Sequence, residues 1–281
     1  MKKYLLMTLS LTVAGTVTAQ EPLPYHPFLK EGKVWSCELQ ERIEETAGEA
    51  TAYYMQTTLF SLRIDGDTLI GNKSYKKVYR DVATIDRQLL YVFPEDASGA
   101  FSESEHKVVN ASSLYDEFLR EEEMKVYRRY AYFDNEEIIY DFSLAQGDVT
   151  SEEYCGLPAT ISNIDNVNAQ ERLIRRFHLS IEGYTGDPVW VEGVGHPSGP
   201  CRVYGLEVND GKTYQLLSCH EDGECIFTKD DFWNAAVINA IDDEYIRQQA
   251  PSAVYDLHGR RVKGQPTHGI YIQQGRKHVV K

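Results

Sequence analysis

Short runs rich in Tyr, Val, Ile, Phe and Thr, each bounded by Gly, Asp or Asn, recur along most of this chain. They fall at 33–40, 53–64, 74–82, 88–93, 124–133, 137–143, 172–179, 189–194, 202–208, 213–219 and 224–228. β-branched and aromatic side chains fit a pleated, half-buried surface, and runs of this length are strands rather than helices. Alternation is visible in Lys125-Val126-Tyr127-Arg128-Arg129-Tyr130 and in Glu137-Ile138-Ile139-Tyr140-Asp141-Phe142. Asp65-Gly66-Asp67, Asn209-Asp210-Gly211 and Asp222-Gly223 supply turn chemistry between runs. Many strands at short spacing predict an all-β, mainly antiparallel body, a β-sandwich or barrel-like fold.

Two stretches break the pattern. Residues 94–113 are rich in Ser, Glu, Ala and Asn and read as a long exposed loop; residues 114–120 read as one or two helical turns. Residues 232–250 read as a partly helical connector, with Asp230 or Asp231 as a cap and Phe232, Ala236 and Ile241 turned toward a core.

The ends differ from the body. Lys2 and Lys3 precede an apolar stretch of Leu5, Leu6, Met7, Leu9, Leu11, Val13 and Ala14, and Val17-Thr18-Ala19 offers a cut before Gln20. That is the pattern of a cleaved signal peptide over 1–19. The stretch is too short and too broken by Thr8, Ser10 and Thr12 to span a bilayer, which takes roughly 20 apolar residues. The expected organisation is therefore leader 1–19, β-domain 20–231, connector 232–250 and a small β-hairpin module at 251–281. No integral membrane segment is expected after cleavage.

Charge is segregated. The formal charge of −14 becomes −16 once Lys2 and Lys3 leave with the leader. After Asp256 there is no acid, and Arg260, Arg261, Lys263, Arg276, Lys277 and Lys281 give the tail +6, which leaves −22 on the body. A body of that charge lacks the Lys/Arg surface that nucleic acid or anionic lipid requires.

Five cysteines are present. The expected bridge is Cys219–Cys225, because Asp222-Gly223 between them is a favoured two-residue hairpin turn that sets the two nearly opposite. Cys37, Cys155 and Cys201 are unassigned. Zinc ligation by Cys219, His220 and Cys225 is disfavoured by their spacing. The acidic clusters 41–45 and 121–123 lack the alternation and Gly of a calcium loop and read as solvated charge.

No catalytic motif stands out, and no catalytic, cofactor or metal residues are assigned. Trp190-Val191-Glu192-Gly193-Val194-Gly195-His196-Pro197 offers Glu192 and His196 as an acid/base pair beside a Trp190 platform. A core strand ending in a Gly-rich bend is the stronger reading. Gly195-His196-Pro197-Ser198-Gly199 is one place out of register with the Gly-x-Ser-x-Gly elbow and is rejected as one. Nineteen tyrosines and three tryptophans suit a glycan or protein interface as well as a core.

The tail carries a resemblance. Val254-Tyr255-Asp256-Leu257-His258-Gly259-Arg260-Arg261-Val262, then Gly269-Ile270-Tyr271-Ile272, then Gly275-Arg276-Lys277-His278-Val279-Val280-Lys281, resembles the end of the C-terminal sorting domains of the type IX secretion system of Bacteroidetes. The resemblance implies a small β-sandwich recognised by an outer-membrane translocon, often cleaved and replaced by a surface lipopolysaccharide linkage. A full sorting domain has earlier strands that 232–251 do not match. The body resembles a group of secreted proteins of the same bacteria, through Gly66-Asp67-Thr68-Leu69-Ile70-Gly71, Tyr75-Lys76-Lys77-Val78-Tyr79, Tyr140-Asp141-Phe142-Ser143-Leu144 and Trp190-Val191-Glu192-Gly193-Val194-Gly195; no activity comes with that likeness. The expectation is an exported surface or extracellular protein, with the periplasm as alternative. It would be non-enzymatic and bind a glycan or envelope protein; a motif-less extracellular hydrolase and a structural envelope component are the alternatives.

Overall fold

The computed structural model describes residues 23–150, 158–186, 188–202 and 211–237, and the backbone of the tail strands at 254–256, 261–262, 269–273 and 276–280. The leader and its Ala19/Gln20 junction lie outside the described residues, as do Cys155, Leu257, Gly259, Arg260, Gly275 and Lys281.

The body is all β. An antiparallel meander runs β1 (Val34–Ala47), β2 (Ala50–Ile70), β3 (Lys73–Phe93), β4 (Ser104–Glu122), β5 (Lys125–Tyr130) and β6 (Glu137–Asp141). The chain then forms a three-stranded sheet from β7 (Ala159–Ala169), β8 (Arg172–Ile181) and β9 (Val189–Val191). It returns to the other side of β1 with β10 (Lys212–Glu221) and β11 (Glu224–Thr228). The large sheet thus has eight strands in the order β11-β10-β1-β2-β3-β4-β5-β6, curled into a half-barrel.

One core joins the two sheets. Alternate residues Trp35, Cys37 and Leu39 of β1 and Phe60, Leu62 and Ile64 of β2 are buried with Ile161, Val167, Ile174, Phe177 and Trp190 of the small sheet. Aromatic contacts bridge the layers: Tyr140 meets Trp190 edge-on at 5.4 Å, and Phe142 meets Phe177 at 5.6 Å. The N-terminal segment plugs the seam. Phe28 is fully buried, 5.3 Å from Trp35 and 5.1 Å from Tyr140.

At 21 residues each, β2 and β3 would run roughly 70 Å if straight, far longer than a typical strand. Their outer halves leave the main core and carry a second small cluster, Ala52, Tyr54 and Val92, with Ile43, Leu89, Ala97 and Phe101 against it.

Several sequence expectations need correction. Residues 104–122 form β4, neither loop nor helix. Its first half is mostly exposed, so no hydrophobic pattern marks it; backbone pairing with β3 from Gln88↔Ser104 to Lys76↔Leu119 holds it in place. Runs 74–82 and 88–93 are one strand, β3. Asp65-Gly66-Asp67 is a bulge inside β2, not a turn: the register shifts between Ile64 and Asp67, with Gly66 at φ 75°. β7 had no sequence signal, because the hairpin to β8 turns through Gln170 and Glu171, both at positive φ without a Gly or Asn. Where the connector begins, Lys229–Trp233 form a 3-10 turn with a Thr228/Asp231 capping box; residues 238–250, Ile241 among them, lie outside the described residues. Phe232 is in the body core, as expected, and Val237 N–H bonds Asn166 O at 2.7 Å.

The hairpin at Asp222-Gly223 does form, with φ of 53° and 83° at its two central residues and Glu221 opposite Glu224. The bridge expected across it does not. A register shift between Cys219 and His220 sets Cys219 opposite Phe227 and His220 opposite Cys225, and both thiols are free. In the tail, β12 (Val254–Asp256) pairs β13 (Arg261–Val262), and β14 (Gly269–Gln273) pairs β15 (Arg276–Val280). These two hairpins, which carry Tyr255, Asp256, Gly269 and Tyr271, join through β12 and β14 into one four-stranded sheet.

Candidate functional site

Three strand pairs of the large sheet slip register at nearly the same level. The shifts fall between Ser36 and Cys37, between Leu59 and Phe60, and between Val82 and Thr84. Each leaves residues without a partner: Leu217 on β10, Ala83 on β3, and Val109 and Asn110 on β4. Asn110 takes φ 49° to do so. A bulge bends its strand and re-aims side chains. Aligned across neighbouring strands, the bulges open a groove of about 530 Å³ on the face away from the core.

The register fixes what lines it. Inward positions are Cys37, Phe60 and Val82, so their neighbours Ser36, Ser61 and Asp81 face out. Ser218↔Ser36, Ser36↔Ser61, Ser61↔Asp81 and Asp81↔Ser112 are successive cross-strand partners. One row of four serines and one aspartate therefore crosses five strands. Leu59, Ala83 and Leu217 give the groove an apolar wall beside it.

Asp81 is the only carboxylate in this lining. Arg63 Nε donates to its Oδ2 at 3.2 Å, and the same guanidinium pairs with Asp65 and lies over the Tyr79 ring. Asp81 Oδ1 is buried and has no hydrogen-bond partner; neither has Thr84 Oγ1, on the other side of the Ala83 bulge. Buried polar atoms are nearly always satisfied, and an orphan costs about 1–3 kcal/mol. Asp81 belongs to the groove lining, so its orphan oxygen is one that a ligand with a hydrogen-bond donor would satisfy.

A second polar cluster is closed. Arg128 donates to Glu137 Oε1 from Nε at 2.7 Å and to Cys201 O from Nη1 at 2.7 Å, and its Nη1 stands 3.8 Å from Glu117 Oε2. Burial pushes the Glu117 carboxyl up against the pull of Arg128, and burial pushes the Cys201 thiol well up. Burial alone would lower Arg128, but Glu117 and Glu137 outweigh it. The carboxylates that meet here are bridged by a guanidinium inside the protein, and the thiol is kept protonated. The cluster fastens the segment around Cys201 to the large sheet.

The Trp190–His196 segment behaves as the structural reading expects. Trp190 is buried, and Trp35 Nε1 donates to Val194 O at 3.0 Å. Glu192 accepts from His26 N–H at 2.7 Å and from Arg175 Nε at 2.5 Å. His196 instead accepts from Ser198 N–H at 3.0 Å, and burial pushes its imidazole down to about 3. Glu192 and His196 thus have separate structural partners. Gly195, at φ 107°, is required: a Cβ there would stand 3.0 Å from Tyr140 Oη and 3.1 Å from Pro200 Cα.

Two charged residues that the sequence suggested were solvated are tied into the fold. Glu121 accepts from Tyr25 Oη, from Phe28 N–H at 2.9 Å and from Leu29 N–H at 2.8 Å, and so docks the N-terminal segment. Glu41 bonds Gln56 at 3.0 Å across the β1–β2 pair. Burial holds Cys37 and Cys219 at about 12, which makes them inert. Among the described residues no group of three or more His, Cys, Asp or Glu is placed to hold a metal ion, and no helix is long and apolar enough to cross a membrane.

The groove residues had no sequence signal. Ser36 and Ser61 are single polar residues inside Trp35-Ser36-Cys37 and Phe60-Ser61-Leu62, as any outward strand position is. Only the pairing register brings them together. Comparison with protein-family models, with curated proteins and with solved structures returned no match.

Proposed function

We propose that this chain is an exported binding protein of the cell surface or extracellular space, and that its ligand sits in the groove at the bulge line. The observation that carries this is the pairing of an open groove with an orphaned carboxylate oxygen, Asp81 Oδ1, in a row of serine hydroxyls. The leader-like N-terminus, the +6 tail on a −22 body and the likeness of that tail to a sorting signal support export. The tail would engage an export translocon.

Binding is preferred to hydrolysis because acid/base cleavage of a glycosidic bond takes a pair of carboxyl groups flanking the bond, and the groove lining holds one. The test is a ligand screen read by amide chemical shifts, using saccharide, peptide and diamine sets. Shifts confined to residues around Ser61, Asp81–Ala83 and Asn110–Ser112 support the proposal. Shifts elsewhere, or none, overturn it.

A further inference from the structure

The chemistry of the groove narrows its ligand. Asp81 shares Arg63 with Asp65, so its charge is only partly compensated, and its remaining oxygen needs a donor. Anions are disfavoured, because the lining contains Asp81 and no Lys, Arg or His. An extended peptide added by strand pairing is excluded, since β1, β2 and β3 are flanked on both sides and offer no free backbone edge. One partly compensated carboxylate in a row of serine hydroxyls beside an apolar wall suits a molecule with several hydroxyl groups and an apolar face better than a strongly charged one. Ser36, Ser61 and Ser112 each donate and accept. Leu59, Ala83 and Leu217 form a wall against which C–H groups can lie. The volume is in the range of small-molecule sites.

We infer that the groove binds a neutral saccharide unit, with Asp81 Oδ1 accepting from a ring hydroxyl, Ser61 and Ser112 bonding its neighbours, and Leu59 and Ala83 against its C–H face. This rests on the groove being the protein's ligand site. The unit is either a free sugar or an exposed residue of a longer glycan, and the two give different titrations.

The test uses the processed full-length chain and three probe sets: neutral monosaccharides, matched oligosaccharides, and a control set of diamines and short peptides. Groove amide shifts report occupancy. Saccharides should saturate the shifts around Ser61, Asp81 and Ser112. Ser61→Ala and Ser112→Ala should each weaken affinity about fivefold, and Asp81→Asn about tenfold or more, by loss of one neutral or one charge-assisted hydrogen bond. Tighter binding of oligosaccharides than of their monomers identifies a polymer ligand; equal binding identifies a free sugar. Each variant's thermal midpoint is measured alongside, and should Asp81→Asn unfold, the two serine variants decide. If only diamines or peptides move the groove amides, the saccharide inference falls and the site stands. If saccharides bind but the three variants bind them equally well, the inference also falls. If no probe moves the groove amides, site and ligand class fall together.

Discussion

Among the described residues Lys33 is the most deeply buried charge, with no solvent exposure. An ammonium has three donors, and here all three are used: Pro27 O at 2.7 Å, Gly193 O at 2.9 Å and Glu221 Oε1 at 2.8 Å. The side chain thereby ties the N-terminal segment, the bend after β9 and the end of β10 to the start of β1. Lys33→Met keeps the length of the chain and removes the charge. It leaves two carbonyls unpaired and strips Glu221 of its closest partner. Breaking a buried pair in this way costs about 3–5 kcal/mol. Glu221 keeps Lys30 at 3.4 Å and Arg172 at 3.8 Å, which puts the expected cost near the lower end, about 3 kcal/mol. For a domain of this size that lowers the melting midpoint by roughly 6–12 °C. Calorimetry or circular dichroism reads it directly. The double variant Lys33→Met/Glu221→Gln should lose less than the two single losses added, because the carboxylate is no longer stranded. Lys30→Ala, which removes an exposed partner of the same cluster, should leave the midpoint unchanged. A Lys33→Met protein that melts with the wild type would refute the claim that this ammonium closes the seam.

Three further outcomes are expected. Gln170→Asn/Glu171→Gly should stabilise the body by about 1 kcal/mol, since two exposed non-glycine residues at φ 47° and 64° are replaced by the pair that favours this turn; denaturant melts check it. His196 stays neutral in the fold, with its value pushed by burial to about 3, so its contribution is complete above pH 6.5 and is lost as pH falls toward 3. For Glu136, burial raises the carboxyl, but bonds from Arg120, Lys73 and Tyr75 outweigh it and hold it at about 2, so its share is lost only below pH 4.5. Stability measured against pH should decline first below 6.5 and more steeply below 4.5, and His196→Asn should remove the first decline alone. Deletion of 254–281 should leave the body folded but abolish surface localisation in fractionated cells; a truncated chain that still reaches the surface would remove the sorting role from the tail.

How much was legible in the sequence follows from what holds each element in place. The cores of β1, β2, β5, β6, β8 and β11 are carried by buried, alternating or β-branched residues, and these stand out along the chain. β4 is different: Ser104 to Asn110 is almost wholly exposed and depends on backbone bonds to β3, which leave no trace in side-chain type. β7 was hidden by its turn, because Gln170 and Glu171 adopt a conformation that usually advertises itself with Gly or Asn. The structural role of Trp190 and His196 was readable, since Gly193 and Gly195 mark a bend. Glu121 reads as surface charge until its distant partners Tyr25, Phe28 and Leu29 come into place. The groove was not readable at all. Ser36, Ser61, Asp81 and Ser112 are scattered over three hairpins, and their alignment depends on where each bulge falls.

We place the ligand of this protein in the bulge-line groove. Ala83 sits unpaired at its centre with an exposed side chain, so Ala83→Trp fills the groove without touching the core. Saturation-transfer NMR of wild type and Ala83→Trp against the same saccharide set is the most direct measurement. Transfer to the sugar is expected in the wild type, and its loss in an equally folded Ala83→Trp protein. Equal transfer in both would place binding elsewhere and contradict that placement.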